Sequence, residues 1–87
     1  MNGFAHTGEA PALIARTAKH FAHKVPVITS DGHASIETRF GRAELTAVDG
    51  GIAIVITPTG ADAREALRDV IASHLERFAR APFEITW

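Results

Sequence analysis

Lys19-His20-Phe21-Ala22-His23-Lys24-Val25-Pro26-Val27 marks the point where a helical pattern gives way to an extended one. Upstream of it, Leu13, Ile14, Thr17 and Phe21 recur at i, i+1, i+4 and i+8, the stripe of a helix that buries one face. Pro11 suits the first turn, where a missing N–H costs little. Pro26 disfavours helical geometry at Val25, so the helix is expected to end near His23 or Lys24. On a wheel of 3.6 residues per turn His20 falls at the edge of the stripe. His23 falls outside it, beside Arg16.

Downstream the period changes to two. Residues 25–29 are rich in β-formers, and Ser30-Asp31-Gly32 signals a turn. Ala34, Ile36, Thr38 and Phe40 alternate with Ser35, Glu37 and Arg39, as in a half-buried strand. Gly41 permits a tight turn, after which Ala43, Leu45 and Ala47 alternate with Arg42, Glu44 and Thr46. Asp49-Gly50-Gly51 is a strong hairpin cue, and Ile52, Ile54 and Ile56 face inward on the next strand. The outward set (Glu37, Arg39, Arg42, Glu44, Thr46) is polar, so one sheet face is wet and the other packs on helices.

Thr59-Gly60-Ala61-Asp62 resembles a capping box with Asp in place of Glu or Gln. Leu67, Val70, Ile71, Leu75 and Phe78 follow as a second helical stripe, ended by Pro82. Phe83, Ile85 and Trp87 alternate with Glu84 and Thr86, the pattern of a last, edge strand. Residues 1–9 lack periodicity and read as a flexible tail, leaving a single α+β domain over 10–87. Its order is α-β-β-β-β-α-β, an antiparallel meander with two helices on one face in a two-layer sandwich.

The 87 residues carry a net charge of −1, with 46% hydrophobic and 22% charged residues. That is the composition of an ordinary globular chain, and it provides no basic surface for nucleic acid or anionic membranes. The absence of cysteine excludes thiolate metal sites, disulfides and thiol redox chemistry. No stretch approaches the ~20 apolar residues of a membrane span, and the first residues lack the features of a secretory signal. A cytoplasmic location is expected.

Three histidines carry the candidate chemistry. His74 lies within the second apolar stripe, where an imidazole loses hydration and its nitrogens need partners. A backbone carbonyl or another histidine would satisfy it, and Arg77 lies one turn further on. His20 and His23, three residues apart, could converge on a metal with His74. Neutral imidazoles with a carboxylate would suit zinc, iron, nickel or copper. The same pair, with Lys19 and Lys24, also suits a helix C-terminus, where positive charge is favourable by ~0.3–1 kcal/mol. If both stripes pack on one sheet face, His20 and His74 meet between the helices. No phosphate-binding glycine loop, nucleophile elbow or dinucleotide fingerprint is present.

The Lys19–Val27 stretch, followed by Asp69-Val70-Ile71-Ala72-Ser73-His74-Leu75-Glu76-Arg77-Phe78-Ala79, resembles a family of short bacterial proteins classed as a domain of unknown function. The resemblance covers residues 10–87. It implies a stand-alone domain, fused in some members to siderophore-interacting flavin reductases, and hence a link to iron handling with such a reductase as partner. Some members are labelled dihydroxyheptenedioate aldolases, but this chain has no recognisable aldolase lysine or metal motif. It departs from the family habit at Ala15, Thr17 and Ala18, where bulkier residues are usual.

Three functions follow. The first is a non-enzymatic binding module that holds a metal, an iron chelate or a small anion near His20, His23, His74 and Arg77. The second is an interaction domain that forms a homodimer through its edge strand or Trp87. The third is a small enzyme with His74 as general base and His20 or Arg77 assisting.

Overall fold

A computed structural model describes residues 2–87. Six antiparallel strands form one sheet, and two helices lie across a single face of it. The strands are β1 (Asn2–His6), β2 (Val27–Ser30), β3 (His33–Thr38), β4 (Gly41–Val48), β5 (Gly51–Pro58) and β6 (Glu84–Thr86). The helices are α1 (Ala10–Phe21) and α2 (Arg64–Phe78). The sheet order is β2-β3-β4-β5-β1-β6, so the expected meander occupies four positions and the chain termini complete the other two.

The α+β two-layer architecture agrees with the sequence pattern, and the flexible tail over 1–9 is corrected. Residues 2–6 form β1, which is inserted between β5 and β6. Met1 lies outside the described residues. The inward positions of β1 are Gly3 and Ala5, opposite Ile54 and Ile52. Glycine is required at position 3 because the Trp87 ring lies over it, and a Cβ there would come within 2.5 Å of the ring. Arg68 of α2 covers the same indole from 4.8 Å, a cation–π contact.

Ile36, Leu45, Ile52 and Ile54 are sealed from solvent against Leu67, Ile71 and Leu75 of α2 and Leu13, Ile14 and Phe21 of α1. Thr17 is also buried, and its hydroxyl has no hydrogen-bond partner among the described residues. An unmet buried group of this kind costs about 1–3 kcal/mol. The outer face is wet as expected, with Arg42 paired to Glu37 at 3.3 Å and His33 near Glu44 at 3.7 Å.

Two local expectations are corrected. The capping box is not formed, because the Thr59 amide and hydroxyl both donate to the Phe40 carbonyl. A short 3-10 turn (Ala61–Ala63) leads into α2 instead. The connection between β3 and β4 is Arg39-Phe40, not Gly41, since Thr38 pairs with Gly41. The Thr38 hydroxyl closes this turn, donating to the Gly41 carbonyl at 2.9 Å and accepting from the Phe40 amide at 3.1 Å.

A polar clasp joins the start of α1 to the end of α2. The Glu9 carboxylate accepts from the Arg16 guanidinium and from the Arg80 amide, and Arg16 also donates to the Phe78 carbonyl at 2.9 Å. The Arg16 hydrogen bond, followed by that from Arg80, holds the Glu9 carboxyl below its usual 4.5. A carboxyl depressed in the folded state stabilises it above the unfolded value and loses that contribution as pH falls through the folded one. Acid unfolding of Glu9→Gln, followed by circular dichroism, is therefore expected to show a weaker pH dependence below 4.5 than the parent protein.

Candidate functional site

The end of α1 is built to present side chains rather than to continue as a helix. After Phe21 the amides of Lys24 and Val25 both fold back onto the Phe21 carbonyl at 2.9 Å, and the His23 amide onto that of His20 at 3.2 Å. Pro26 then commits the chain to β2. This tight exit leaves Lys24 and Val25 facing the Arg39-Phe40 turn and the side of α2. The three walls enclose an open cleft of about 620 Å³ lined by His20, Phe21, Lys24 and Val25, by Thr38, Arg39 and Phe40, and by Val70 and His74.

His20 and His74 meet between the helices, with ring centroids 5.3 Å apart. Phe21 stacks at a tilt on His74 at 4.3 Å, and Phe78 lies against His20 at 5.0 Å. His74 is only half-buried, short of the core position its stripe suggested. Its Nδ1 is 2.7 Å from the Val70 carbonyl one turn back, which makes Nδ1–H the donor and leaves Nε2 directed elsewhere. A backbone carbonyl thus satisfies the ring, one of the two arrangements expected of it.

His20 titrates below its ordinary 6.5, first because burial disfavours its charged form and then because His74, Arg77, Lys24 and His23 surround it with positive charge. His23 is exposed and does not line the cleft. Arg77 is exposed as well, its guanidinium 5.5 Å from the Phe78 ring, and its charge acts on His20. No three His, Asp or Glu side chains gather as metal ligands among the described residues, so His20, His23 and His74 do not make the three-ligand set expected from their spacing. His23 lies beyond the last residue of α1, exposed and outside the lining that His20 and His74 share.

Arg39 and Phe40 are the site residues that strand periodicity concealed. Strand alternation places Arg39 on the wet face and Phe40 inward, whereas the turn puts both on the cleft wall. There the Arg39 guanidinium lies over the Phe40 ring at 4.8 Å. Thr38 two residues before Phe40, followed by Gly41, was the available signal, since such a hydroxyl can close a turn on its own backbone.

Among the described residues no helix is long and apolar enough to cross a membrane. The sequence model of the bacterial family DUF2218, described as "Uncharacterized protein conserved in bacteria", matches residues 3–87. The NMR structure of PA4090 from Pseudomonas aeruginosa is similar over 99% of this chain and 93% of its own, with 26% identity and a TM-score of 0.76. No curated protein matches the chain.

Proposed function

The chain belongs to that bacterial family, and on this premise we propose that it is a non-enzymatic binding module that holds a small organic anion in the cleft between α1, α2 and the β3–β4 turn. One observation carries the reading. The lining combines Lys24, Arg39 and two imidazoles with apolar walls from Phe21, Val25, Phe40 and Val70, and it contains no carboxylate. An ammonium and a guanidinium at the mouth of an apolar cleft attract an anion and orient it, and the low-dielectric walls strengthen the attraction. A bare divalent cation would meet the same charges as repulsion. An iron chelate of net negative charge falls within the favoured class.

Neither cleft imidazole is paired with a carboxylate among the described residues. The exposed apolar residues Ile28, Val48 and Val55 stand opposite Ser35, Gly51 and Glu44, scattered singly over the outer face and not gathered into an interface patch.

Amide NMR of labelled protein titrated with small carboxylates and, separately, with zinc chloride tests the reading. Carboxylates are expected to move the His20, Lys24, Arg39 and Phe40 signals, less so in high salt, and the Lys24→Ala/Arg39→Ala variant is expected to lose the response. A cleft that responds to zinc but not to carboxylates would overturn it.

A further inference from the structure

We propose that the ligand of this cleft is a planar, ring-bearing organic acid, its ring against His20, Phe21, Phe40 and His74 and its anionic group between Lys24 and Arg39, and that His20 takes up a proton as it binds. This rests on the anion-binding reading above and narrows it.

The ring class follows from the walls. His20, Phe21, Phe40 and His74 are all cleft-lining residues, and together they supply ring surface on three of its sides. Three of them already brace one another, Phe21 on His74 at 4.3 Å and His74 on His20 at 5.3 Å, with Phe78 behind His20 at 5.0 Å. Side chains fixed in this way lose little freedom when a ligand arrives. A flat aromatic ligand gains the face and edge contacts that a saturated ring of equal size does not, a preference of about three- to tenfold. The anionic end is placed by the cations. Arg39 is held over Phe40 at 4.8 Å, so its charge sits directly above a ring of the wall, and Lys24 approaches from the end of α1.

The proton follows from the company of His20. From α2 it faces His74 and Arg77; from its own chain exit, His23 and Lys24; across the cleft, Arg39. Every one of these groups is basic, and no carboxylate lines the cleft. Empty, the site therefore keeps His20 neutral near neutral pH, in keeping with its lowered titration. A bound carboxylate supplies the missing negative charge and reverses the balance in favour of the imidazolium. Since the ligand stays ionised well above its own pKa, affinity should rise as pH falls toward the titration of free His20, by up to about tenfold per pH unit.

The test compares benzoate, cyclohexanecarboxylate and benzamide on the whole chain, by amide NMR and calorimetry in buffers of different ionisation enthalpy. Benzoate is expected to bind about three- to tenfold tighter than cyclohexanecarboxylate, with benzamide far weaker than either. Benzoate should also raise the titration midpoint of the His20 ring, and His20→Gln should flatten the pH dependence while its amide spectrum shows the fold intact. If that variant fails to fold, the ring titration of the parent protein with and without benzoate decides the point alone. Equal affinity for the two acids would overturn the ring class and leave anion binding standing. Benzamide binding as well as benzoate, or neither acid binding, would overturn both. A His20 midpoint unmoved by benzoate would overturn the proton uptake.

Discussion

Ile54→Ala is expected to lower the stability of the fold by about 2–5 kcal/mol. Ile54 has no solvent exposure and lies on β5, the strand flanked by β4 and β1 in the sheet order. Its inward neighbours are Leu45 on one side and Gly3 on the other. Because Gly3 has no side chain, β1 offers nothing of its own to fill the gap that removal of the Ile54 side chain leaves. A chain of this size has roughly 4–13 kcal/mol of total stability, so the variant approaches the unfolding threshold at room temperature. Denaturant titration measures it, under the two-state treatment suited to small domains. Val55→Ala is the internal control: Val55 is 40% exposed on the outer face and is expected to cost less than about half a kilocalorie. A larger cost at Val55 than at Ile54 would mean that the inward face of β5 is the reverse of the one described.

The inward faces of β3, β4 and β5 were readable because their side-chain alternation is strict and local. Ile36, Leu45, Ile52, Ile54 and Ile56 were expected inward, and all are buried. The meeting of His20 with His74 was readable for a related reason. Both helical stripes had to cover the same sheet face, and each histidine sat at or within its stripe. What stayed hidden depends on partners distant in sequence. Asn2-Gly3-Phe4-Ala5-His6 has no apolar alternation because its inward positions are kept small to admit Trp87 and to lie beside Ile52 and Ile54. Nothing in the first nine residues says that an indole will lie there. Arg39 and Phe40 are concealed by a subtler point: the glycine at 41 reads as the turn itself, whereas Thr38 closes the turn before it. A shift of one or two residues in a turn moves side chains between the wet face, the core and the cleft.

Gly51→Ala is expected to be at least as damaging as the core truncation, costing about 3 kcal/mol or more, and for the opposite reason. A Cβ at this position would lie 1.8 Å from the Ala5 carbonyl oxygen, 3.0 Å from its carbon and 3.1 Å from the Phe4 ring. The obstructing atoms are mostly backbone, so no rotamer change relieves the contact. Room can be made only by lifting β1 away from β5, which breaks their shared ladder from Asn2↔Val55 to His6↔Gly51. The damage then spreads, since among the described residues β6 pairs with β1 alone. With β1 displaced, Ile85 loses its neighbour Ala5, and Trp87 loses the glycine it lies on. Gly50→Ala makes a useful contrast. Its φ of +84° strains any side chain, but its nearest new contact is the Phe4 ring at 3.9 Å, so it should cost only about 1 kcal/mol. Amide hydrogen exchange distinguishes the two, because Gly51→Ala should strip protection from residues 2–6 and 84–86 while β3 and β4 keep theirs. A Gly51→Ala protein that loses less than about 1 kcal/mol, with β1 and β6 as protected as before, would mean that residues 2–6 do not pair in this register. The first residues would then be the loose tail that their composition suggests.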